Sequence, residues 1–135
     1  MMEIPCIKKG LKLLLIIDPL MPRELVIDMQ RVRQVVLNLV QNAIKFTFKG
    51  GITVHLEYDL DTKYFKVSVT DSGIGISEED QLKLFQMFGK LKSMANINTN
   101  GIGLGLFICK RICETFQGYI ALEQSEVGQG TTFSF

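Results

Sequence analysis

Polar side chains recur at helical spacing in the segment NLVQNAIKFT, residues 38–47. Asn38, Asn42 and Lys45 follow one another at intervals of four and three residues, so a helix would place them on one face. Asn is less favourable in a helix than Lys or Glu by up to about half a kcal/mol per residue, and here that cost is taken twice. Amide oxygens can ligate a hard cation such as Mg²⁺, and a nearby lysine can contact phosphate groups. The segment therefore predicts either a site for a metal-bound phosphate ligand or, as the simpler alternative, a solvated helix face.

A second segment, DSGIGI at residues 71–76, places a carboxylate at the end of a predicted strand. Gly73 and Gly75 follow Asp71 at alternate positions, and glycines there permit tight turns and close approach of the backbone to a ligand. An aspartate in such a place can accept a hydrogen bond from an exocyclic amine such as that of adenine. A plain turn from strand to helix is the alternative interpretation of this segment.

Three alternate glycines stand where a polar loop is predicted to enter a helix, in GIGLGL at residues 101–106. Backbone amides at a helix N-terminus form an anion site, so Gly101, Gly103 and Gly105 are candidates for phosphate binding. The pattern is neither GxxxxGK[ST] nor GxGxxG, because Gly105 directly follows Leu104. The sequence also lacks the signatures of Ser/Thr/Tyr protein kinases. These observations exclude P-loop proteins, dinucleotide-binding proteins and that class of kinases.

Composition limits the classes of protein further. The 135 residues fit a single domain, 1–135, with 47% hydrophobic and 21% charged residues. The formal charge of +1 indicates neither a nucleic-acid partner nor an anionic lipid surface. The longest apolar run, LKLLLII at 11–17, is too short to span a bilayer. Cys109 and Cys113 are expected to be buried thiols in a reducing compartment. We therefore expect a cytoplasmic domain with no direct membrane contact.

The elements that must position these segments can be predicted from hydrophobic periodicity. A buried strand is expected over 11–17, and Asp28 is expected to cap a helix over 29–46. The further predicted elements are a hairpin over 51–70, a short helix over 78–88 capped by Ser77 and Asp80, a loop over 89–100, a helix over 103–117 ended by Gly118 at its C′ position, and strands over 119–124 and 131–135. The expected fold class is an α+β two-layer sandwich: a mixed, largely antiparallel sheet of about five strands with about three helices packed on one face.

Five segments in order resemble the N, G1, F, G2 and terminal glycine-threonine boxes of the sensor histidine kinase catalytic domain. They are NLVQNAIKFT, DSGIGI, LFQMFGKLK, NGIGLGLFICKRI and GQGTTFSF. The resemblance covers the chain from about Gly10 to Phe135. That family shares the Bergerat ATP-binding fold with gyrase, the ninety-kilodalton heat-shock chaperone and mismatch-repair ATPases. The resemblance implies a domain that binds Mg-ATP and transfers its γ-phosphate to a histidine in two-component signal transduction.

The resemblance assigns roles residue by residue. Asn42 matches the Mg²⁺-ligating asparagine, with Asn38 beside it as a further catalytic candidate. Lys45 matches a phosphate contact that is also part of the catalytic set, and Phe46 lies where relatives place a residue near the nucleotide. Asp71 matches the carboxylate that binds the adenine amine. The remaining positions implied for the nucleotide pocket or its lid are Gly73, Gly75, Ile76, Phe85, Phe88, Gly101, Gly103, Gly105, Leu106 and Thr131.

The resemblance also assigns a functional consequence to the asparagine at position 38. In the ATPases that share the fold, the position four residues before the magnesium asparagine carries a glutamate that activates water. An asparagine cannot take up a proton at neutral pH. We therefore expect a site that holds the γ-phosphate for an incoming nucleophile and hydrolyses ATP poorly.

Two partners follow from the resemblance: a histidine-bearing dimerisation domain that accepts the phosphate and, downstream, the receiver domain of a response regulator. The single histidine of the sequence, His55, lies in the predicted strand ITVHLEYD, and we expect it to be structural or exposed. Because the chain stops at Phe135 inside the predicted last strand, we expect an excised catalytic domain without its dimerisation hairpin.

Two other functions remain as alternatives. One is a non-catalytic nucleotide-binding regulatory module derived from a histidine kinase. Such modules usually lose the magnesium asparagine or the glycines of the G2 box, whereas this sequence keeps Asn42, Gly101, Gly103 and Gly105. The other is a hydrolase of the chaperone or topoisomerase type, which the asparagine at position 38 disfavours.

Overall fold

The computed structural model describes residues 3–86 and 104–135. Its elements in chain order are α1 (Glu3–Lys9), β1 (Lys12–Ile17), α2 (Met29–Phe46), β2 (Gly51–Tyr58), β3 (Phe65–Asp71), α3 (Glu78–Gln81), α4 (Gly105–Thr115), β4 (Ala121–Glu126) and β5 (Gly130–Ser134). The predicted loop over 89–100 lies outside the described residues, as do three of the site candidates.

The five strands form one mixed sheet in the order β1-β2-β3-β5-β4, with helices on one side. β1 runs parallel to β2, and the other three pairs are antiparallel. The register places Asp71 of β3 between Ile52 of β2 and Thr131 of β5. The predicted fold class is therefore confirmed, and the sheet brings the G1 segment next to the terminal glycine-threonine segment.

The long helix α2 forms where its cap and periodicity predict it. The Asp28 carboxylate accepts hydrogen bonds from the backbone amides of Gln30 and Arg31, both at 3.1 Å. Five apolar side chains of α2 are buried against the sheet and α4: Val35, Leu39, Val40, Ala43 and Ile44. The face that carries Asn38, Asn42 and Lys45 lies beside this buried face, and the three side chains are partly buried.

The strand β1 differs from the prediction of a buried strand. It lies at the edge of the sheet, and Leu14, Leu15, Ile16 and Ile17 are exposed by 41–59%. A continuous apolar run is typical of a strand that is covered on both faces, but the same pattern also fits an edge strand. The expectation of a buried strand at this position is wrong.

The helix α3 is shorter than the predicted span of 78–88. Ser77 caps it as predicted, because its hydroxyl accepts a hydrogen bond from the Asp80 amide at 3.3 Å. After Gln81 the chain continues in turns, in which the amides of Lys83 and Leu84 bond to carbonyls three residues earlier. This tighter pattern replaces the α-helical pattern from residue 82 to the end of the described segment.

The end of α4 also departs from the prediction that Gly118 occupies the left-handed C′ position. Gln117 takes that conformation, with φ of 59°. Its amide bonds to the carbonyl of Glu114 at 3.0 Å, and the Gly118 amide bonds to that of Cys113 at 2.9 Å. These two bonds define a Schellman motif in which Gly118 stands one position after the strained residue.

The helix α1 was not expected from the sequence. Pro5 lies in its first turn, where the missing amide proton removes no helical hydrogen bond. Cys6 of α1 is only 1% exposed and joins the core. The amide of Leu11 bonds back to the Cys6 carbonyl at 2.9 Å, which turns the chain from α1 into β1.

The side of the sheet away from the helices carries polar side chains. The hydroxyls of Thr70 and Thr132 lie 3.0 Å apart across β3 and β5. On β2, His55 has 37% of its side chain exposed, and its Nδ1 lies 3.7 Å from a carboxylate oxygen of Glu57. This position agrees with a structural or surface role for the histidine.

The three cysteines are free and buried. Burial raises the pKa of Cys109 to about 12 and that of Cys113 to about 11, so both remain protonated thiols at neutral pH. This agrees with the expected role in core packing. Within residues 3–86 and 104–135, no helix is long and apolar enough to cross a membrane.

Candidate functional site

Two asparagines of α2 form a hydrogen-bonded pair. Asn42 Nδ2 donates to Asn38 Oδ1 at 3.3 Å, and both side chains are partly buried. The bond uses the nitrogen of the Asn42 amide, so its Oδ1 is the atom that remains for another partner. Asn42 therefore presents an oxygen of the kind that a hard cation prefers.

The last turn of α2 carries the two other candidates of this helix. Lys45 Nζ lies 5.3 Å from the centre of the Phe46 ring, within range of a cation–π contact. Both side chains are partly buried. The backbone carbonyl of Phe46 accepts a hydrogen bond from the Ile74 amide at 3.1 Å, so the end of α2 is tied to the glycine-rich segment after β3.

Asp71 ends β3 in a partly buried position. Its Oδ1 accepts a hydrogen bond from the Gly73 amide at 2.8 Å. Burial raises the pKa of Asp71, although the backbone amides of Gly73 and Thr131 and the hydroxyl of Thr47 favour the charged form. A carboxylate that has lost much of its water is well suited to accept a hydrogen bond from a ligand.

Gly73 is buried where three groups of the protein converge. A Cβ at this position would lie 2.5 Å from the Phe46 carbonyl oxygen, 2.7 Å from Asp71 Oδ1 and 2.9 Å from Thr47 Oγ1. These distances are too short for any side chain. The glycine predicted from DSGIGI is therefore required by the packing of this segment against the end of α2.

Gly75 and Ile76 fix the glycine-rich segment to the far edge of the sheet. Gly75 has φ of 69°, and a Cβ there would overlap the carbonyl oxygen of Glu126. The Ile76 amide donates to Ser125 Oγ at 2.9 Å, and the Ile76 side chain is 5% exposed. Ser125 Oγ also lies 2.9 Å from Thr131 Oγ1, so one β4 hydroxyl connects two predicted site segments.

The start of α4 lies directly against the asparagine pair. A Cβ at Gly105 would be 2.5 Å from Asn38 Nδ2 and 3.0 Å from Asn38 Oδ1. Leu104, at the N-cap, makes no side-chain capping bond. The N and G2 segments are therefore neighbours at Gly105, and Leu106 is partly buried against the core.

The remaining candidates fall into two groups. Phe85 is partly buried, and its ring packs edge-to-face on Phe133 with ring centres 6.2 Å apart, so it supports the core. Phe88, Gly101 and Gly103 lie outside the described residues.

Three residues that shape this region were not predicted from the sequence. Ser125 carried no sequence signal, because its partners are 49 and 6 residues away in the chain. Gly130 has φ of 116°, and a Cβ there would overlap the Asp71 carbonyl oxygen. Thr47 ends the segment NLVQNAIKFT, and its position directly after α2 could have marked it as a candidate.

A family model matches most of the chain. It covers residues 27–135 and is described as histidine kinase-, DNA gyrase B- and HSP90-like ATPase. The matched range includes all the candidate site residues, from Asn38 to Thr131.

Curated relatives of this chain include histidine kinases of much greater length. The chain is 40% identical over 131 residues to hybrid signal transduction histidine kinase B of Dictyostelium discoideum, covering 95% of this chain and 7% of that protein. It is 38% identical over 128 residues to sensor histidine kinase RcsC of Escherichia coli strain K12, covering 95% and 13%. It is 46% identical over 109 residues to histidine protein kinase 1 of Candida albicans, covering 78% and 4%. The chain thus spans only 4–13% of the length of these relatives.

Solved structures that match this chain include a histidine kinase catalytic domain. Full-length ShkA in complex with AMPPNP matches with a TM-score of 0.83 at 30% identity, covering 99% of this chain and 27% of that chain. The nucleotide-free catalytic domain of histidine kinase ThkA matches with a TM-score of 0.75 at 34% identity, covering 98% and 82%. One neighbour therefore carries an ATP analogue in its structure, and the other is a catalytic domain of similar extent.

Proposed function

Because the chain belongs to the family of histidine kinase-, DNA gyrase B- and HSP90-like ATPases, we propose that it binds Mg-ATP and donates the γ-phosphate to a histidine on a separate domain. The observation that carries this proposal is the convergence of Asp71 with the end of α2. The carboxylate at one end of the site and the Asn38–Asn42 pair at the other provide groups for the base and for the phosphates, respectively.

The adenine end of the proposed site is built on Asp71. Burial raises the pKa of Asp71, which means that the charged carboxylate is less stable in the ligand-free protein than it would be in water. An exocyclic amine would donate a hydrogen bond to this carboxylate and recover part of that cost. The Gly73 amide already holds Oδ1 at 2.8 Å, so the carboxylate is oriented before a ligand arrives.

The phosphate end of the proposed site is built on α2 and the start of α4. Asn42 Oδ1 fits a magnesium ligand, since its amide nitrogen is engaged by Asn38. When bound, Mg²⁺ supplies charge neutralisation for the phosphate oxygens. The Lys45 ammonium adds a second positive charge, and α4 begins without a side-chain cap, which leaves backbone amides suited to an anion.

Asn38 supports transfer over hydrolysis. Its side chain is a neutral amide whose oxygen accepts from Asn42, and it has no group that removes a proton from water at neutral pH. The site would therefore bind and orient the nucleotide, and the acceptor would bring its own nucleophile. This agrees with phosphoryl transfer, where positioning and charge stabilisation supply most of the catalysis.

The wider setting of the domain is part of the proposal. Residues 1–135 would form one catalytic domain of a longer cytoplasmic or membrane-anchored kinase. Its direct partner would be a histidine-bearing dimerisation domain, and the receiver domain of a response regulator would act downstream. The names and lengths of the curated relatives, which include a hybrid signal transduction histidine kinase, support this arrangement.

Calorimetric titration of ATP with and without Mg²⁺ tests the nucleotide site. We expect wild type to bind ATP more tightly with Mg²⁺ and Asp71→Asn to lose most of that affinity. Asp61→Asn, which changes an exposed carboxylate in the turn between β2 and β3, is the matched control. A folded wild-type protein that binds no ATP would refute the proposal.

Phosphotransfer needs a second experiment. Incubation with labelled ATP and a helical hairpin from a related kinase should give an acid-labile phosphohistidine on the hairpin. Asn42→Ala should abolish the product. Tight ATP binding with no transfer to any matched hairpin would instead support the non-catalytic nucleotide-binding module.

A further inference from the structure

We propose that Thr47 is a nucleotide-site residue, and that its hydroxyl donates a hydrogen bond to the adenine ring nitrogen next to the amine, directly or through one water. This inference rests on the proposed function, because it assumes that ATP occupies the site beside Asp71. It adds a residue that would position the base and contribute to its selection.

The Thr47 hydroxyl is buried without a partner. The residue is 0% exposed, and within residues 3–86 and 104–135 its Oγ1 is the one buried side-chain polar atom with no hydrogen bond. Buried polar atoms are nearly always paired, since an unpaired one loses its bonds to water and gains nothing in return. An orphaned hydroxyl in a native site therefore indicates a partner that arrives from outside the chain.

The hydroxyl lies at the carboxylate proposed to bind the base. Thr47 Oγ1 and Asp71 Oδ1 are 2.9 and 2.7 Å from the same point, the position of a Cβ on Gly73. The hydroxyl favours the charged form of Asp71, yet it does not meet the geometry of a hydrogen bond to it. Thr47 is thus close enough to Asp71 for both side chains to contact one ligand.

The local backbone does not explain why the hydroxyl is unpaired. Thr115, at the end of α4, donates to the carbonyl of Arg111 at 2.8 Å, which is the usual bond of a threonine at a helix end. Thr47, just after the last residue of α2, makes no such bond, although its backbone amide bonds to the Ala43 carbonyl at 3.0 Å. The side chain is instead directed to the cluster formed by Gly73 and Asp71.

The chemistry of adenine fits this pair of groups. One edge of the ring presents an amine, which donates, next to a ring nitrogen, which accepts. A carboxylate matches the amine, and a hydroxyl can donate to the neighbouring nitrogen. Asp71 has no proton to offer when charged, so the second half of this pattern needs another residue.

The test uses substitutions that separate the hydroxyl from the volume of the side chain. Thr47→Val removes the hydroxyl and keeps the shape, and Thr47→Ser keeps the hydroxyl. We expect Thr47→Val to raise the dissociation constant for ATP by about 10-fold. Its melting temperature should be unchanged or higher without nucleotide, because an unpaired buried hydroxyl has been removed. Thr47→Ser should bind ATP within about threefold of wild type.

A nucleotide variant makes the assignment specific. In 1-deaza-ATP a CH group replaces the ring nitrogen next to the amine. Wild type should bind this analogue about 10-fold more weakly than ATP, whereas Thr47→Val should bind the two nucleotides almost equally. That pattern couples the hydroxyl to one atom of the base, which a purely structural role would not do.

The outcomes distinguish this inference from the proposed function. If wild type and Thr47→Val bind ATP equally, the inference is overturned and the proposed function stands. If Thr47→Val and Thr47→Ser both lose stability and affinity, Thr47 serves only packing, and the inference is again overturned. If wild type binds no ATP at all, the proposed function itself fails.

Discussion

The Lys9 ammonium caps the C-terminal end of α2 by donating hydrogen bonds to the carbonyl oxygens of Ile44 at 2.6 Å and Lys45 at 3.2 Å. The last carbonyls of a helix have no partner within the helix, and a cation there also interacts favourably with the helix dipole. The same ammonium lies 5.2 Å from the centre of the Phe48 ring. A residue of α1 therefore holds the turn that carries Lys45 and Phe46, two residues proposed to contact the nucleotide.

Lys9→Ala should lower the free energy of unfolding by about 1 kcal/mol, because two carbonyls lose a charged donor. ATP affinity should fall as well, since the last turn of α2 becomes less rigid. Urea unfolding and calorimetry measure the two effects. Lys8→Ala, at the exposed neighbouring position, is the control. Equal stability of the two variants would contradict the capping role.

Gln117→Gly should stabilise the protein. Gln117 holds φ of 59° in the Schellman motif after α4, and a residue with a Cβ pays about 1 kcal/mol or more for this conformation. Glycine adopts it freely, so the melting temperature should rise by several degrees. Nucleotide affinity should not change. Gly118→Ala is a useful companion, because its Cβ would meet the Cys113 carbonyl oxygen at an ordinary 3.5 Å, and a similar rise there would argue against the φ-based explanation.

Local signals predicted the fold well where each element carries its own period and cap. The helix α2 has an N-cap at Asp28 and a regular apolar stripe, and its bounds agree with the prediction. The hairpin of β2 and β3 alternates apolar and polar residues, and the structure pairs these strands. The edge position of β1 could not be predicted, because it depends on which strands pair, and its apolar run carries no information about neighbours.

In the candidate site too, contacts within one element could be predicted from the sequence, whereas contacts between elements could not. Asn38 and Asn42 were predictable neighbours, since helical spacing alone brings them together. The cluster of Asp71, Gly73 and Thr47 joins α2 to the end of β3 and depends on tertiary packing. The sequence therefore identified Asp71 and Gly73 through a motif, but it did not show that the helix-terminal threonine would be buried beside them.

Gly105→Ala should impair the site more than the stability. The added methyl group would contact the Asn38 amide, whose nitrogen is 2.5 Å from the Cβ position. Since the amide can rotate away, the cost in unfolding free energy should be about 1 kcal/mol, the low end of the usual range for overpacking. The rotation would break the Asn38–Asn42 bond, so Mg-dependent ATP affinity should fall severalfold. Wild-type affinity in this variant would show that the asparagine pair does not matter for binding, and Gly118→Ala controls for a general effect of alanine.

Asp71→Asn should raise the stability at neutral pH while it removes most of the ATP affinity. Burial raises the pKa of Asp71 in the folded protein above its unfolded value, so folding favours the protonated form. The stability of the wild type relative to the variant is therefore greatest below the usual aspartate pKa of about 4. This relative stability falls as the pH rises through the pKa of Asp71 in the folded protein. Chemical unfolding of both proteins from pH 3 to 8 should show the difference growing with pH. A pH-independent difference would refute this origin of the effect.

Asn38→Glu should raise the rate of ATP hydrolysis at the proposed site. A carboxylate at position 38 can remove a proton from water, which the amide cannot do. We expect steady phosphate release without acceptor to rise about 10-fold, less than the ~10²–10⁴-fold contribution of a well-positioned base, because Gly105 packs against this side chain and limits its placement. Asn38→Gln is the matched control: it has nearly the same size as glutamate and also breaks the original asparagine pair, but it supplies no base. If the two variants release phosphate at the same rate, the asparagine at this position is not what prevents hydrolysis.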